Sequence, residues 1–393
     1  MNRPAPTAGP LDGLTALRFF AALAVMLFHY FTQYMPAAGQ RHGLELVIGH
    51  GYTGVTFFFM LSGFILAYTY AEADFSRPAA VARYLQARVA RIMPLYLLSL
   101  VVAAPIYADA LINSQPDLYL TLFGTAPVLA PLALQAWVPG AAASINFPTW
   151  SVSNEAFFYV MFPLLLPVLL LRPVRWLAAA GLYMVVLWAL TVWLWGEFGA
   201  GLGLMDSTKG APPITRLVAQ FIKFFPLCHL HEFVAGMLLH VLWRRGGWRW
   251  SGPALLAGGA ALFLALTGLT GMVPDPVDHN GPMILPLSLL ILGGANIRDG
   301  WPGPLVFLGK ASYGMYLFHA PLYQGMRWLD DARFHSALAG VRYLYEAIAL
   351  AAVIALASWL HLAVEEPMRR RIMRWRPGPA APAGADARPR QPD

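Results

Sequence analysis

Residues 17–35 read LRFFAALAVMLFHYFTQYM, an apolar run that opens on Arg18 and holds His29 inside it. A run of that length and composition forms a helix able to cross a bilayer. Eleven steps of about 100° come to about 1100°, about 20° past three turns. Arg18 and His29 therefore share one helix face, roughly 16 Å apart along the axis. An ionisable group at membrane depth is costly and turns toward a bundle interior or a watery cavity. The pair predicts a polar track running lengthwise through an all-α membrane protein.

The rest of the chain agrees. Its 393 residues are 58% hydrophobic and 12% charged, with a mean hydropathy of +0.55. Soluble domains carry about 25% charged residues, so this is a polytopic transmembrane bundle. Apolar runs mark ten spans, at about 14–34, 50–71, 90–108, 154–171, 174–195, 218–243, 252–271, 282–297, 304–324 and 341–363. The net charge of +7 is scattered over short segments between spans, which argues for the positive-inside pattern and against nucleic acid. With a cytoplasmic N-terminus, Arg77, Arg83, Arg88 and Arg91 fall inside, as do Arg172 and Arg175. So do Arg244, Arg245 and Arg249, then Arg298 and Lys310, then Arg369, Arg370 and Arg371.

An eleventh span at 118–138 would put most later clusters outside. Pro127, Pro131, Pro139 and Pro148 also interrupt the uncharged stretch 118–153, and proline breaks regular helix. Residues 109–153 are therefore read as an outer-side segment, partly re-entrant, between the third and fourth spans. Such backbone is tolerated at membrane depth only inside protein or along a cavity. A single cysteine, Cys228, allows no internal disulfide and reads as a packing residue. The first span reads as an uncleaved anchor rather than a signal peptide, because Arg18 opens it. The organisation expected is a cytoplasmic tail at 1–10, a membrane domain at 11–370 and a disordered basic Pro/Ala-rich cytoplasmic tail at 371–393.

Several residues in this frame are suited to chemistry. Arg18 lies near the cytoplasmic end of its helix and His29 in the outer half. Glu155, after Trp150-Ser151-Val152-Ser153-Asn154, starts the fourth helix at the outer edge. His319 is in the outer half of the ninth. A carboxylate beside an imidazole fixes its tautomer and stabilises the imidazolium, which suits a general base. Plainer readings stand beside these. An intramembrane histidine also serves to hydrogen-bond a neighbouring helix, and a carboxylate at a helix start is favoured by the dipole. Arg88 and Arg91, three residues apart, share a face. Arginine forks bind phosphate, yet spacing alone favours a membrane anchor that snorkels. His229 and His231 are about 200° apart on a helix, so they do not make a zinc pair with Glu232, and no metal is expected. Glu232 is a candidate for lining a polar cavity. Ser62-Gly63 reads as a close-packing step, with a cavity wall as the alternative.

Together these segments resemble acyltransferase family 3, which includes bacterial polysaccharide O-acetylases. The resemblance runs over residues 11–370. Arg18 through His29 is similar to the family's first-helix pattern, and Phe58-Phe59-Met60-Leu61-Ser62-Gly63-Phe64 to its second. Arg88-Val89-Ala90-Arg91 matches an Arg-x-x-Arg segment, and Trp150-Ser151 to Glu155 a Trp-Ser-x-x-x-Glu segment. Ser312-Tyr313 through His319-Ala320-Pro321 matches a late Ser-Tyr…His-x-Pro motif. The chain departs from many relatives in having Thr15-Ala16-Leu17 where they have Asp-Gly-Leu. Its own Asp12-Gly13-Leu14 comes one turn earlier.

The resemblance implies acetyl-CoA or another acyl-CoA as donor, supplied from the cytoplasm, with no metal. It implies a hydroxyl-bearing acceptor, commonly a glycan or glycolipid on the outer side of the bilayer, and residence in a bacterial inner membrane with both termini cytoplasmic. On that reading His29, Glu155 and His319 are catalytic, and Arg18, Arg88 and Arg91 hold the donor. Ser62, Trp150 and Tyr313 line the substrate passage. The alternative class is a proton-coupled transporter or flippase, with the histidines as a relay.

Overall fold

The computed structural model describes residues 11–375 except 37–39, 113–116, 206–209, 247–249, 270, 298, 338–340 and 342. The expected tails at 1–10 and 376–393, and Arg249 and Arg298, lie outside the described residues. Every regular element described is helical. The principal helices are α1 (Asp12–Phe31), α2 (Thr53–Tyr70), α3 (Pro78–Ile112), α4 (Trp150–Leu171), α5 (Pro173–Phe198) and α6 (Pro213–Phe224). They continue with α7 (Pro226–Arg244), α8 (Gly252–Thr267), α9 (Ile284–Asn296), α10 (Gly303–Phe334), α11 (Leu344–Leu360) and α12 (Glu366–Arg374).

Among the described residues, seven helical segments are long and apolar enough to cross a membrane: Asp12–Tyr34, Thr53–Tyr70, Pro78–Ile112, Phe147–Leu171, Pro173–Phe198, Pro213–Arg244 and Leu344–Arg374. The all-α polytopic bundle is borne out. Seven of the ten expected spans fall in these segments, with 218–243 divided between α6 and α7; outside them lie 252–271 and 282–297, on the short helices α8 and α9 of 16 and 13 residues, and 304–324, on α10. The helical chain also continues through Arg371–Arg374, which sequence reading gave to the tail.

Small residues set the packing. Gly236 of α7 lies so close to the Met60 carbonyl of α2 that a Cβ there would collide with backbone. Gly309 of α10 meets the Thr15 carbonyl of α1 in the same way. In lipid there is little hydrophobic drive between helices, so such close approach supplies the van der Waals contact. The Ser62-Gly63 step is of this kind at Gly63, whose Cα faces the Phe233 carbonyl.

Residues 118–153 enter the bundle as short helical turns, with Ala133 in a left-handed conformation at φ 54°. Ala130, Ala133, Ala136 and Ala142 are buried in the main core. Buried side chains satisfy this irregular backbone, as membrane depth demands. Gln135 Nε2 donates to the Thr149 carbonyl at 2.8 Å, and Tyr96 donates to the Ala130 carbonyl.

Candidate active site

His29 and His319 face one another across the α1–α10 contact. Their rings stack at 4.9 Å between centroids, and His319 Nε2 lies 2.9 Å from His29 Nδ1. His319 is fully buried and His29 partly so. His29 therefore points into the protein. The Phe147 ring closes against it edge-on at 5.2 Å.

The partners fix the tautomers. His319 Nδ1 is 2.7 Å from the Tyr316 carbonyl, which only accepts, so this nitrogen carries a hydrogen. In the neutral pair Nε2 of His319 then accepts, and His29 Nδ1 donates to it. The lone pair of His29 is left on Nε2. Tyr30 donates to the His319 carbonyl at 2.8 Å and pins the same turn.

Pro321 explains the local geometry. Lacking an N–H, it frees the Leu317 carbonyl four residues earlier. Asn146 Nδ2 donates to that carbonyl at 2.9 Å, and to Ser99 Oγ at 3.1 Å. Thus the His-x-Pro sequence docks the re-entrant segment onto α10. Ser151 adds a bond to the Tyr316 hydroxyl at 2.8 Å.

A second cluster occupies the other end of α1. Arg18 has Arg91, Glu155, Glu365 and Tyr159 as electrostatic neighbours, and Arg88 joins them through Glu155. Arg88 lies over the rings of Tyr70, Tyr84 and Tyr159 at 5.8–5.9 Å, a cation–π arrangement. Glu155 accepts from the Tyr159 hydroxyl at 3.3 Å, and Ser62 lies against the same phenol. Tyr313 donates to the Ile92 carbonyl at 3.0 Å. Arg91 is ion-paired with Glu365, which His361 Nδ1 also meets at 3.0 Å. His361 and Glu365 bound a π-helical turn, a form that clusters at functional sites.

The expected contact between Glu155 and His29 is absent; His29 is partnered by His319 instead. Depth explains this. Residues 147–153 dip into the bundle, so α4 starts beside the imidazoles rather than at the outer edge. From Phe147, which touches His29, eight residues carry Glu155 about 12 Å along the axis to the level of Arg18. Trp150 is buried against Phe59, Phe224 and His229, away from His29. Sequence reading missed Glu365, Phe147, Asn146 and the outer cluster where Tyr34 and Tyr323 donate to the buried Glu346 carboxylate at 2.5 and 3.3 Å. Only Glu346 carried a signal, as a carboxylate within an apolar span; Glu365 lies past the end of that span, beside Glu366 and a run of arginines.

His229 Nδ1 lies 3.2 Å from Glu232, which also accepts from Thr56 at 3.1 Å. Glu232 is thus a paired core carboxylate. Among the described residues no three His, Cys, Asp or Glu side chains group as metal ligands. Surface cavities of about 670 and 450 Å³ lie beside α12 and beside Trp137, and neither touches the imidazole pair.

An imidazole pair and a guanidinium cluster thus sit at opposite ends of one helix of an all-α polytopic bundle. The sequence model described as "Acyltransferase domain" matches residues 11–363, and the chain belongs to that family, acyltransferase 3. It is 32% identical to acyltransferase MdmB of Streptomyces mycarofaciens, with 96% of each chain covered. It is 27% identical to the exopolysaccharide production protein ExoZ of Rhizobium meliloti (strain 1021), over 88% of this chain and 95% of that one. No solved structure matches it. The protein is a membrane O-acyltransferase.

Proposed function

We propose that this protein moves an acyl group, most simply acetyl, from cytoplasmic acyl-CoA to a hydroxyl of an outer-side carbohydrate. The observation that carries the reading is the hydrogen-bond order at the imidazole pair, which leaves His29 Nε2 as the basic lone pair. His29 takes the acceptor's hydroxyl proton as its oxygen attacks the thioester carbonyl. The imidazolium so formed is stabilised through Nδ1 by His319. Collapse of the tetrahedral intermediate breaks the C–S bond, and the His29 proton leaves with the coenzyme A thiol. His319 is the positioning residue in this scheme.

The donor's phosphates fit the guanidinium end. Arg18 Nε and Arg88 Nε are buried and have no partner, so each retains a donor for an anion, and arginine forks suit phosphate. Arg91 is already held by Glu365 and orients the cluster. Glu155 and Tyr159 neighbour both the Arg18 and the Arg88 guanidinium groups. Ser62 and Tyr313 border the passage between the ends, and Trp150 walls its far side by packing. The arginines face the cytoplasm and both termini lie inside, following the positive-inside bias of an inner-membrane protein. The similarity to ExoZ, named for exopolysaccharide production, supports a glycan acceptor.

The test is twofold. Coenzyme A added to the detergent-solubilised protein raises its melting temperature, because a ligand of the native state stabilises by mass action. Deletion of the gene removes an O-acyl group from a surface glycan, read by mass spectrometry. No stabilisation, together with unchanged glycans, overturns the proposal.

A further inference from the structure

The span that begins at Leu344 runs on as helix to Arg374, 31 residues in all. At about 1.5 Å per residue that is about 46 Å, against a hydrocarbon core of about 30 Å. The apolar residues of α11 fill the core, so the excess of roughly ten residues falls on α12, at the level of the lipid headgroups.

Two faces of α12 differ. One is fastened to the bundle. Gln86 Nε2 of α3 donates to the Ile372 carbonyl at 2.9 Å and to the Trp375 carbonyl at 2.5 Å, and Glu365, just before α12, pairs with Arg91. The other face lines the cavity of about 670 Å³, walled by Leu362, Glu366, Pro367, Arg370, Arg371 and Arg374.

This cavity is unbalanced in charge. Its single carboxylate, Glu366, is taken by Arg369 through two bonds of 3.0 Å and by Arg370 Nε at 2.9 Å. Among the described residues Arg371 and Arg374 have no acidic partner. Toward the bilayer core the surface turns apolar. Leu362 is 62% exposed and Trp359, three residues before it, 60%. Tryptophan at such a border is typical of a membrane interface.

An occupant suited to this place carries an anion at one end and apolar chains at the other. Arginine forks match phosphate, and a basic cluster directly after a transmembrane helix attracts anionic lipid. A nucleotide has no apolar end to lay on Leu362 and Trp359. We propose that the cavity holds the headgroup of an anionic phospholipid, its phosphodiester on Arg371 and Arg374 and its acyl chains along Leu362 and Trp359. The site is independent of the donor reading. A bound lipid holds α12 in place, and through Glu365 it steadies Arg91 in the guanidinium cluster.

The test uses the full-length protein in detergent, read by native mass spectrometry and by melting temperature. Its probes are phosphatidylglycerol, phosphatidylcholine and glycerophosphoglycerol, the last being the anionic headgroup without its chains. Phosphatidylglycerol forms a one-to-one adduct and raises the melting temperature; the other two do neither. Arg371→Gln with Arg374→Gln weakens that adduct about thirtyfold, the share of two arginines at an anionic headgroup. Both side chains are exposed, and cooperative melting reports folding of the variant. Arg374→Gln alone costs about fivefold, and serves should the double variant not fold. Coenzyme A does not displace the lipid. Equal retention of the two lipids, or no loss in the variants, overturns the proposal and leaves these arginines as general positive-inside charge. Displacement by coenzyme A overturns it in favour of a nucleotide site. Glycerophosphoglycerol binding as tightly as the lipid overturns it in favour of a free-anion site.

Discussion

The two ends of α1 solve the problem of polar groups in a membrane in opposite ways. At the His29 end, a run of fixed hydrogen bonds ends on a single free lone pair. At the Arg18 end, two buried guanidinium Nε atoms have no partner, while a third arginine is neutralised by Glu365. The first arrangement is preorganised for chemistry without a ligand. The second keeps donors open for an anion. On the function proposed, one end sets the rate and the other sets the affinity.

The sharpest way to break this division is His29→Ala. Acyl transfer by reconstituted protein falls by about 10³-fold, in the range of a lost general base, and near-normal turnover by folded protein removes the role. His319→Ala costs about 10²-fold, because the His29 tautomer is no longer held. His319→Gln recovers part of this loss, since its amide oxygen can accept from His29 Nδ1. Equal losses in the two variants break the tautomer argument.

At the other end, Arg18→Ala and Arg88→Ala each raise the KM for acyl-CoA about tenfold, with a smaller change in kcat. Arg91→Ala behaves differently. It leaves the buried Glu365 carboxylate without its cation and lowers stability by roughly 3 kcal/mol. Adding Glu365→Gln restores part of the melting temperature. A rise in KM without loss of stability would place Arg91 with the free pair.

The smallest effect lies outside both ends. Asp117, at the start of the segment after α3, accepts from the Leu120 amide and pairs with Arg216. These contacts, the amide first, hold its carboxyl below the usual carboxylate range. A lowered folded pKa contributes stability above the unfolded value and loses it as pH falls through the folded value. Asp117→Asn therefore lowers the melting temperature slightly at pH 7, and the difference from wild type vanishes in acid. A difference that persists in acid assigns the effect to lost shape rather than charge.

The linear sequence determined the class of this protein. Apolar runs must be helical in lipid, because every backbone group needs an internal partner. Helical periodicity alone put Arg18 and His29 on one face, and charge bias with the four prolines of 118–153 kept 118–138 from being read as a span. Tertiary structure decided who partners whom. Residues 147–153 sink into the core because Pro321 leaves the Leu317 carbonyl open to Asn146. That descent carries Glu155 past the imidazoles to the arginines, a depth no periodicity encodes. The pairing of His29 with His319, 290 residues away, and of Arg91 with Glu365, 274 away, depends on which helices touch. Helix contact in lipid is set by small residues such as Gly236 and Gly309 fitting against a particular neighbour's backbone. Hydropathy reports that a helix is buried in membrane; only close packing selects its neighbour.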